Sequence, residues 1–226
     1  MNTMSRRQAL HFVAIVAASM GFSCATLPAG APVAGSASAP APIVTASVTE
    51  PRLVGSVLLS STGNPPTSGG VVYVDGAPKQ PDVATTATIV VDHKVFTPLI
   101  TVITTGGAVT FRNKDALTHH VFSPDVAQWD TGYLRKNESA ARTFESAGAF
   151  ALLCNIHPEM IGYVLVIPST YFGKVGTDGR YVIPNLPPGT YKATAWVPRM
   201  PTATQAVTVG PTGAVTANFE LRPEGS

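Results

Sequence analysis

The sequence predicts an all-β fold built as two sandwiches, and three observations carry that prediction. Gly and Pro, 20 residues each, approach a fifth of the 226-residue chain, which disfavours a helical bundle and favours short strands joined by turns. Between residues 86 and 167, short β-branched and aromatic runs alternate with turn residues at the density of a sandwich. Beyond residue 170, Asp178-Gly179 and Pro187-Pro188-Gly189 punctuate a second series of apolar runs.

The N-terminal segment reads as export and tether. Arg6 and Arg7 precede an almost wholly apolar stretch, residues 12–22, which has signal-peptide length and is too short to span a membrane. Ser5-Arg6-Arg7 with Leu10 resembles the start of a twin-arginine signal, although Ala9 stands where a bulkier apolar residue is usual; general secretion is the alternative route. Residues 1–24 are therefore expected to be a signal peptide. Gly21-Phe22-Ser23-Cys24 resembles a lipoprotein cleavage box, which makes Cys24 a lipidation candidate, with ordinary signal cleavage as the alternative. Residues 25–50, mostly Ala, Pro, Gly, Ser, Thr and Val, read as an extended spacer between membrane and domain. The expected location is periplasmic or cell-envelope.

Charge and cysteine content narrow the function classes. The formal charge is +2, and without Arg6 and Arg7 the 13 remaining basic residues balance 13 acidic ones, so no nucleic-acid footprint is present. Two cysteines, Cys24 and Cys154, give no disulfide framework. Cys154 must then be a buried thiol, a reactive thiol or a ligand.

Strands are expected over residues 87–91, 99–104, 108–112, 120–122, 142–144, 149–153 and 162–167, with a tight hairpin at Gly106-Gly107 and a polar turn at Asn113-Lys114-Asp115. Within this segment Thr118-His119-His120 is followed, about 35 residues later, by Cys154-Asn155-Ile156-His157-Pro158-Glu159-Met160. One histidine plus a Cys-x-x-His-x-x-Met loop supply two imidazoles, a thiolate and a weak thioether, the donor set of a trigonal copper site with a long axial Met. Soft sulfur favours Cu(I) and imidazole suits both oxidation states, so a rigid loop lets one electron move with little rearrangement. Pro158 stiffens that loop, and Asn155 or Ile156 is expected to offer a backbone N–H to the thiolate. Neighbouring strand residues point to opposite faces, so only one of His119 and His120 looks inward.

Residues 86–167 resemble the cupredoxins, through Phe96-Thr97-Pro98, Val109-Thr110-Phe111-Arg112-Asn113-Lys114-Asp115, the His119 region and the ligand loop running into Gly162-Tyr163-Val164-Leu165-Val166. The short loop spacing is similar to that of the amicyanins. The resemblance implies a Greek-key β-sandwich holding one type 1 copper, with His119, Cys154, His157 and Met160 as ligands. His120 then stands where many members have an Asn that braces the loop. It further implies transient partners among periplasmic redox proteins or enzymes, met through an apolar patch around Pro158 and Ile161.

Blander readings compete with this one. A single buried Cys, Met or His is usually core filling or structural, but their joint occurrence in this order is hard to reach by accident. Zinc is disfavoured because Met is a poor zinc ligand and Cys2His2 spacing is absent. His93, between Asp92 and Lys94, reads as solvated. Beyond His11 in the signal segment, His93, His119, His120 and His157 are all the histidines of the chain, too few for a second, catalytic copper, so no enzyme activity is expected. Copper sequestration and a metal-free structural sandwich are the alternatives to electron carriage.

The flanks form a second pattern. Tyr171-Phe172-Gly173, a hairpin at Asp178-Gly179 and the strand beginning near Tyr191 resemble the carboxypeptidase regulatory-like, transthyretin-like sandwich, whose opening strands resemble Val54-Gly55-Ser56-Val57 and Gly70-Val71-Val72-Tyr73-Val74. The expected division is residues 51–77 and 168–222 in one small sandwich, with residues 82–167 inserted between. The alternative adds residues 51–76 to the copper domain and appends a C-terminal module.

Overall fold

The computed structural model describes residues 50–78, 80, 86–125 and 129–223, so the expected signal, Cys24 and the spacer lie outside the described residues. Sixteen strands and no helix occur among them. In chain order these are β1 (Arg52–Leu59), β2 (Gly70–Asp75), β3 (Thr86–Asp92), β4 (Val95–Thr97), β5 (Ile100–Thr104), β6 (Gly107–Asn113), β7 (Val121–Phe122), β8 (Ser139–Phe144), β9 (Gly148–Cys154) and β10 (Ile161–Ile167). They continue as β11 (Phe172–Val175), β12 (Arg180–Ile183), β13 (Gly189–Trp196), β14 (Ala203–Val209), β15 (Ala214–Thr216) and β16 (Phe219–Leu221).

Strand pairing separates the chain into a host and an insert. β2 pairs antiparallel with β11 and β13, and β14 completes that sheet. β1 pairs antiparallel with β12 and parallel with β15 and β16, forming the second host sheet. The insert has one sheet in the order β4-β3-β6-β8 and another in the order β5-β10-β9-β7. Parallel pairs β3 with β6 and β5 with β10 show that the chain repeatedly changes sheets rather than running as a meander.

Two turn signals mark reversals but not hairpins. Gly106 does adopt positive φ, yet β5 and β6 belong to different sheets. The corner is held instead by Thr105 N–H to Ile167 O and Gly106 N–H to Phe144 O. Asp178-Gly179 likewise joins β11, paired with β2, to β12, paired with β1. A tight glycine turn reverses the chain locally; burial decides whether the two strands then pair or face one another across a core. Here Ile103 and Val109 must enter one core from opposite sheets.

Alternation along the strands builds three apolar layers from four sheets. Ile89, Val91, Phe96, Phe111, Leu152, Val164 and neighbours fill the insert. Leu53, Val57, Val72, Val74, Tyr181, Ile183 and neighbours fill the host. Between them, Val71 of β2 and Trp196 of β13 meet Tyr163, Leu165 and Ile167 of β10, with the Tyr163 and Trp196 rings edge-on at 5.8 Å. β10 is therefore buried on both faces from Gly162 onward. On its inner face Gly162 lies beneath Phe96, where a Cβ would come within 3.0 Å of the Phe96 side chain.

In the host, parallel pairing of β1 switches from β15 to β16 across Ala217 and Asn218. Tyr181 OH donates to Ala217 O at 2.7 Å, and Asn218 Oδ1 accepts from Ser56 N–H at 3.0 Å. Gly55 is required beneath this switch, since a Cβ there would sit 1.7 Å from Ala217 O.

Two stability measurements follow from these layers. Tyr181→Phe leaves the buried Ala217 carbonyl without its donor and should lower stability by about 1–2 kcal/mol in urea melts at neutral pH. Burial raises the Tyr181 pKa, so the phenol's contribution is complete below the ordinary tyrosine value of about 10 and declines as pH rises above it. The gap between wild type and Tyr181→Phe should narrow in that alkaline window. Trp196→Ala, which empties the seam, should cost about 3 kcal/mol or more and destabilise insert and host in a single transition; separate transitions of unchanged midpoint for the insert would contradict the shared layer.

Candidate metal centre

Backbone pairing brings the histidine pair and the cysteine loop together. β7 pairs with the end of β9, placing Val121 opposite Cys154. His119 is anchored on its other side by reciprocal bonds with Leu134, N–H to O at 3.0 Å and O to N–H at 2.7 Å. After Cys154 the chain turns, Asn155 N–H donating to His120 O and Met160 N–H to His157 O, before β10 begins.

The side chains converge at one point. His119 Nδ1 and His157 Nδ1 are 3.2 Å apart, and each lies 3.8 Å from Cys154 Sγ. All three ligand atoms fall within 4.8 Å of one another, the sole such His, Cys or carboxylate group found among the described residues. His119 is fully buried, Cys154 and Met160 are nearly so, and His157 is partly exposed. Met160 belongs to the same apolar cluster as Cys154.

The tautomer of His119 follows from its other nitrogen. Its Nε2 lies 3.2 Å from Asp115 Oδ2. Asp115 also accepts Lys94 N–H at 2.9 Å; chiefly that bond lowers its pKa to about 2, so the carboxylate is ionised and can only accept. Nε2 must therefore carry the proton, and Nδ1 turns a lone pair toward Cys154 and His157. Burial lowers the His119 pKa and the Asp115 hydrogen bond opposes that shift, which leaves a neutral, oriented imidazole. A carboxylate on the far nitrogen of a metal-facing histidine fixes the ring and raises its basicity.

Asn113 braces the same frame. Its amide donates to Leu117 O at 2.7 Å and to Leu134 O at 2.8 Å, and its Oδ1 accepts Asp115 N–H at 2.8 Å. In the sequence Asn113 and Asp115 read only as a polar turn. The available signal was a carboxylate four residues before a candidate ligand histidine.

Several expected details differ. Cys154 Sγ receives a backbone N–H from His120, at 3.5 Å, and not from Asn155, whose N–H is committed to the His120 carbonyl. His120 braces the loop through its backbone; its ring turns outward to Asp130, 3.2 Å away, and meets Tyr133 edge-on. Pro158 is exposed within the His157–Met160 turn. Ile161 packs toward the inter-sandwich seam, so exposed Ile156 and Leu117 supply the apolar surface of the two ligand-bearing loops. His93 is solvent-exposed and paired with Asp92.

The donor set and its spacing fit a copper ion. Two imidazoles, a cysteine sulfur and a thioether in the same buried cluster are donor types that suit copper.

Comparisons with known proteins match separate parts of the chain. Residues 169–217 match the family model of polysaccharide lyase family 4, domain II. Among solved structures, a purple cupredoxin from Nitrosopumilus maritimus is 25% identical, covering 35% of this chain and 98% of its own, with a TM-score of 0.34. A copper-containing nitrite reductase from Thermus scotoductus is 26% identical over 40% of this chain and 24% of its own, TM-score 0.34. An amicyanin variant in its reduced state is 20% identical over 42% of this chain and 98% of its own, TM-score 0.34. No curated protein matches the chain.

Because Asp115 orients His119 from behind, Asp115→Ala should weaken copper binding by roughly 10- to 100-fold in competition titrations while leaving the fold intact. An unchanged affinity would mean that the backbone bridge of His119 to Leu134 suffices to hold the ring.

Proposed function

We propose that this chain is an exported mononuclear type 1 copper protein that carries single electrons between periplasmic redox partners, tethered to a membrane through Cys24 and the spacer. The observation that carries the reading is the convergence of His119 Nδ1, Cys154 Sγ and His157 Nδ1, with Met160 buried in the same apolar cluster as Cys154. When bound, copper would supply one-electron chemistry, taking an electron from a reduced donor and passing it to an oxidised acceptor.

The chain's own residues do the rest. Cys154, as thiolate, and the two imidazoles would hold the ion, with the Met160 thioether as a fourth donor. Asp115, Asn113 and the His120 N–H keep these donors in place when the charge at the centre changes, so little reorganisation accompanies transfer. His157 alone among the three reaches solvent and is the exit toward a partner, framed by exposed Leu117 and Ile156, a surface suited to weak, transient encounters. The host is read as a carboxypeptidase regulatory-like spacing module without chemistry of its own.

Cu(II) added to residues 50–226 should produce an intense visible thiolate-to-copper band that bleaches reversibly with reductant. Cys154→Ser should abolish the band, whereas Met160→Leu should keep it and shift the reduction potential. A spectrum unchanged by Cys154→Ser would overturn the assignment. Chelating the copper should lower the melting temperature, since a metal at about a thousandfold over its Kd contributes about 4 kcal/mol.

A further inference from the structure

The insert sorts its charges. On the outward face of its β4-β3-β6-β8 sheet, Thr86, Thr88, Ala108, Thr110, Ala141 and Thr143 are uncharged, and Arg112 stands at the metal end. Three segments are stitched together there. Asn113 N–H donates to Glu138 O, Asn137 N–H to Asn113 O, and Lys114 N–H to Val91 O, while Lys94 N–H donates to Asp115. The links gather Lys94, Arg112, Lys114, Arg135 and Lys136 beside the Asp115 and Leu134 contacts of His119.

Two carboxylates of this corner are paired with cations, and two, Asp92 and Asp115, lie against histidines. Glu159 pairs with Lys94 at 3.3 Å, Glu138 with Arg135 at 3.8 Å, Asp92 with His93 and Asp115 with His119. Arg112, Lys114 and Lys136 are exposed and have no ion-pair partner among the described residues. Asp130 sits on the other flank: bridges of Leu134 to His119 and of Asp130 to Phe122 place it about four residues, on the order of 13 Å, further along. The three cations thus lie on the flank of the centre away from Asp130, which faces the His120 ring.

We propose that the Arg112–Lys114–Lys136 corner is the electrostatic docking surface for a redox protein that presents carboxylates around its own electron-exchange site. This rests on the copper reading and adds the sign of the partner. Three neighbouring exposed cations without ion-pair partners form no pair within the chain, while within a Debye length of about 10 Å they attract an acidic surface and turn it toward His157.

The test has two arms. In the first, copper-loaded protein is reduced by hexacyanoferrate(II), an anionic donor, and by hexaammineruthenium(II), a cationic one, across a range of ionic strengths. The anion's rate should fall as salt rises. Lys114→Glu/Lys136→Glu should slow it roughly tenfold at low salt and reverse its salt dependence, with the visible band unchanged. Lys192→Glu/Arg180→Glu, an equal charge change on the host, should have little effect. Equal salt slopes for wild type and the Lys114/Lys136 variant overturn the proposal while leaving the copper site standing. In the second arm, metal-free protein is titrated with the redox-inert paramagnetic anion hexacyanochromate(III), and amide line broadening is mapped. Broadening centred on residues 112–114 and 135–137 supports the corner even if copper fails to bind; broadening elsewhere, or none, overturns it.

Discussion

Strand β10 has no solvent-facing side. Val164 and Val166 close the core of the insert, while Tyr163, Leu165 and Ile167 close the seam against Val71 and Trp196 of the host. Its first residue follows Met160 directly, and its pairing with β9 carries Leu153 opposite Ile161, one step from Cys154. A strand locked on both faces fixes where the ligand loop begins and ends, so the loop's seven residues have little freedom beyond their own turn. The glycine at 162, pressed under Phe96, shows how closely the strand is fitted at the metal end.

On that base the site is completed by polar bonds rather than by the ligands alone. Asn113 ties the Leu117 and Leu134 carbonyls together, Asp115 holds the far nitrogen of His119, and the His120 backbone joins both Cys154 Sγ and Asn155. Each bond removes one freedom from a donor that would otherwise relax away from its neighbours. Two imidazole nitrogens 3.2 Å apart facing a sulfur form a stable cluster only around a cation or a shared proton, and a frame of this stiffness favours an ion whose geometry changes little with oxidation state.

Much of this was legible in the sequence. Alternating apolar residues marked the strands, and the Cys154-x-x-His157-x-x-Met160 spacing with an upstream histidine pair marked the donor set, because both signals are local. What was not legible depends on distant partners. Gly106 and Asp178-Gly179 announce turns equally well whether the strands pair or face across a core. Ile161 looks like a surface residue until the host covers it. Asp115 and Asn113 resemble any polar turn until His119 and Leu134 arrive from further along the chain, and the choice of His120 rather than Asn155 as thiolate donor depends on the β7–β9 register.

X-ray absorption at the copper edge, recorded on the loaded protein in both oxidation states, would test the central claim most directly. The spectrum should show one sulfur and two imidazole nitrogens at short distance, about 2.0 Å for nitrogen, with bond lengths that change little between Cu(II) and Cu(I). A shell without short sulfur, or one that rearranges on reduction, would contradict a preassembled His119–Cys154–His157 centre.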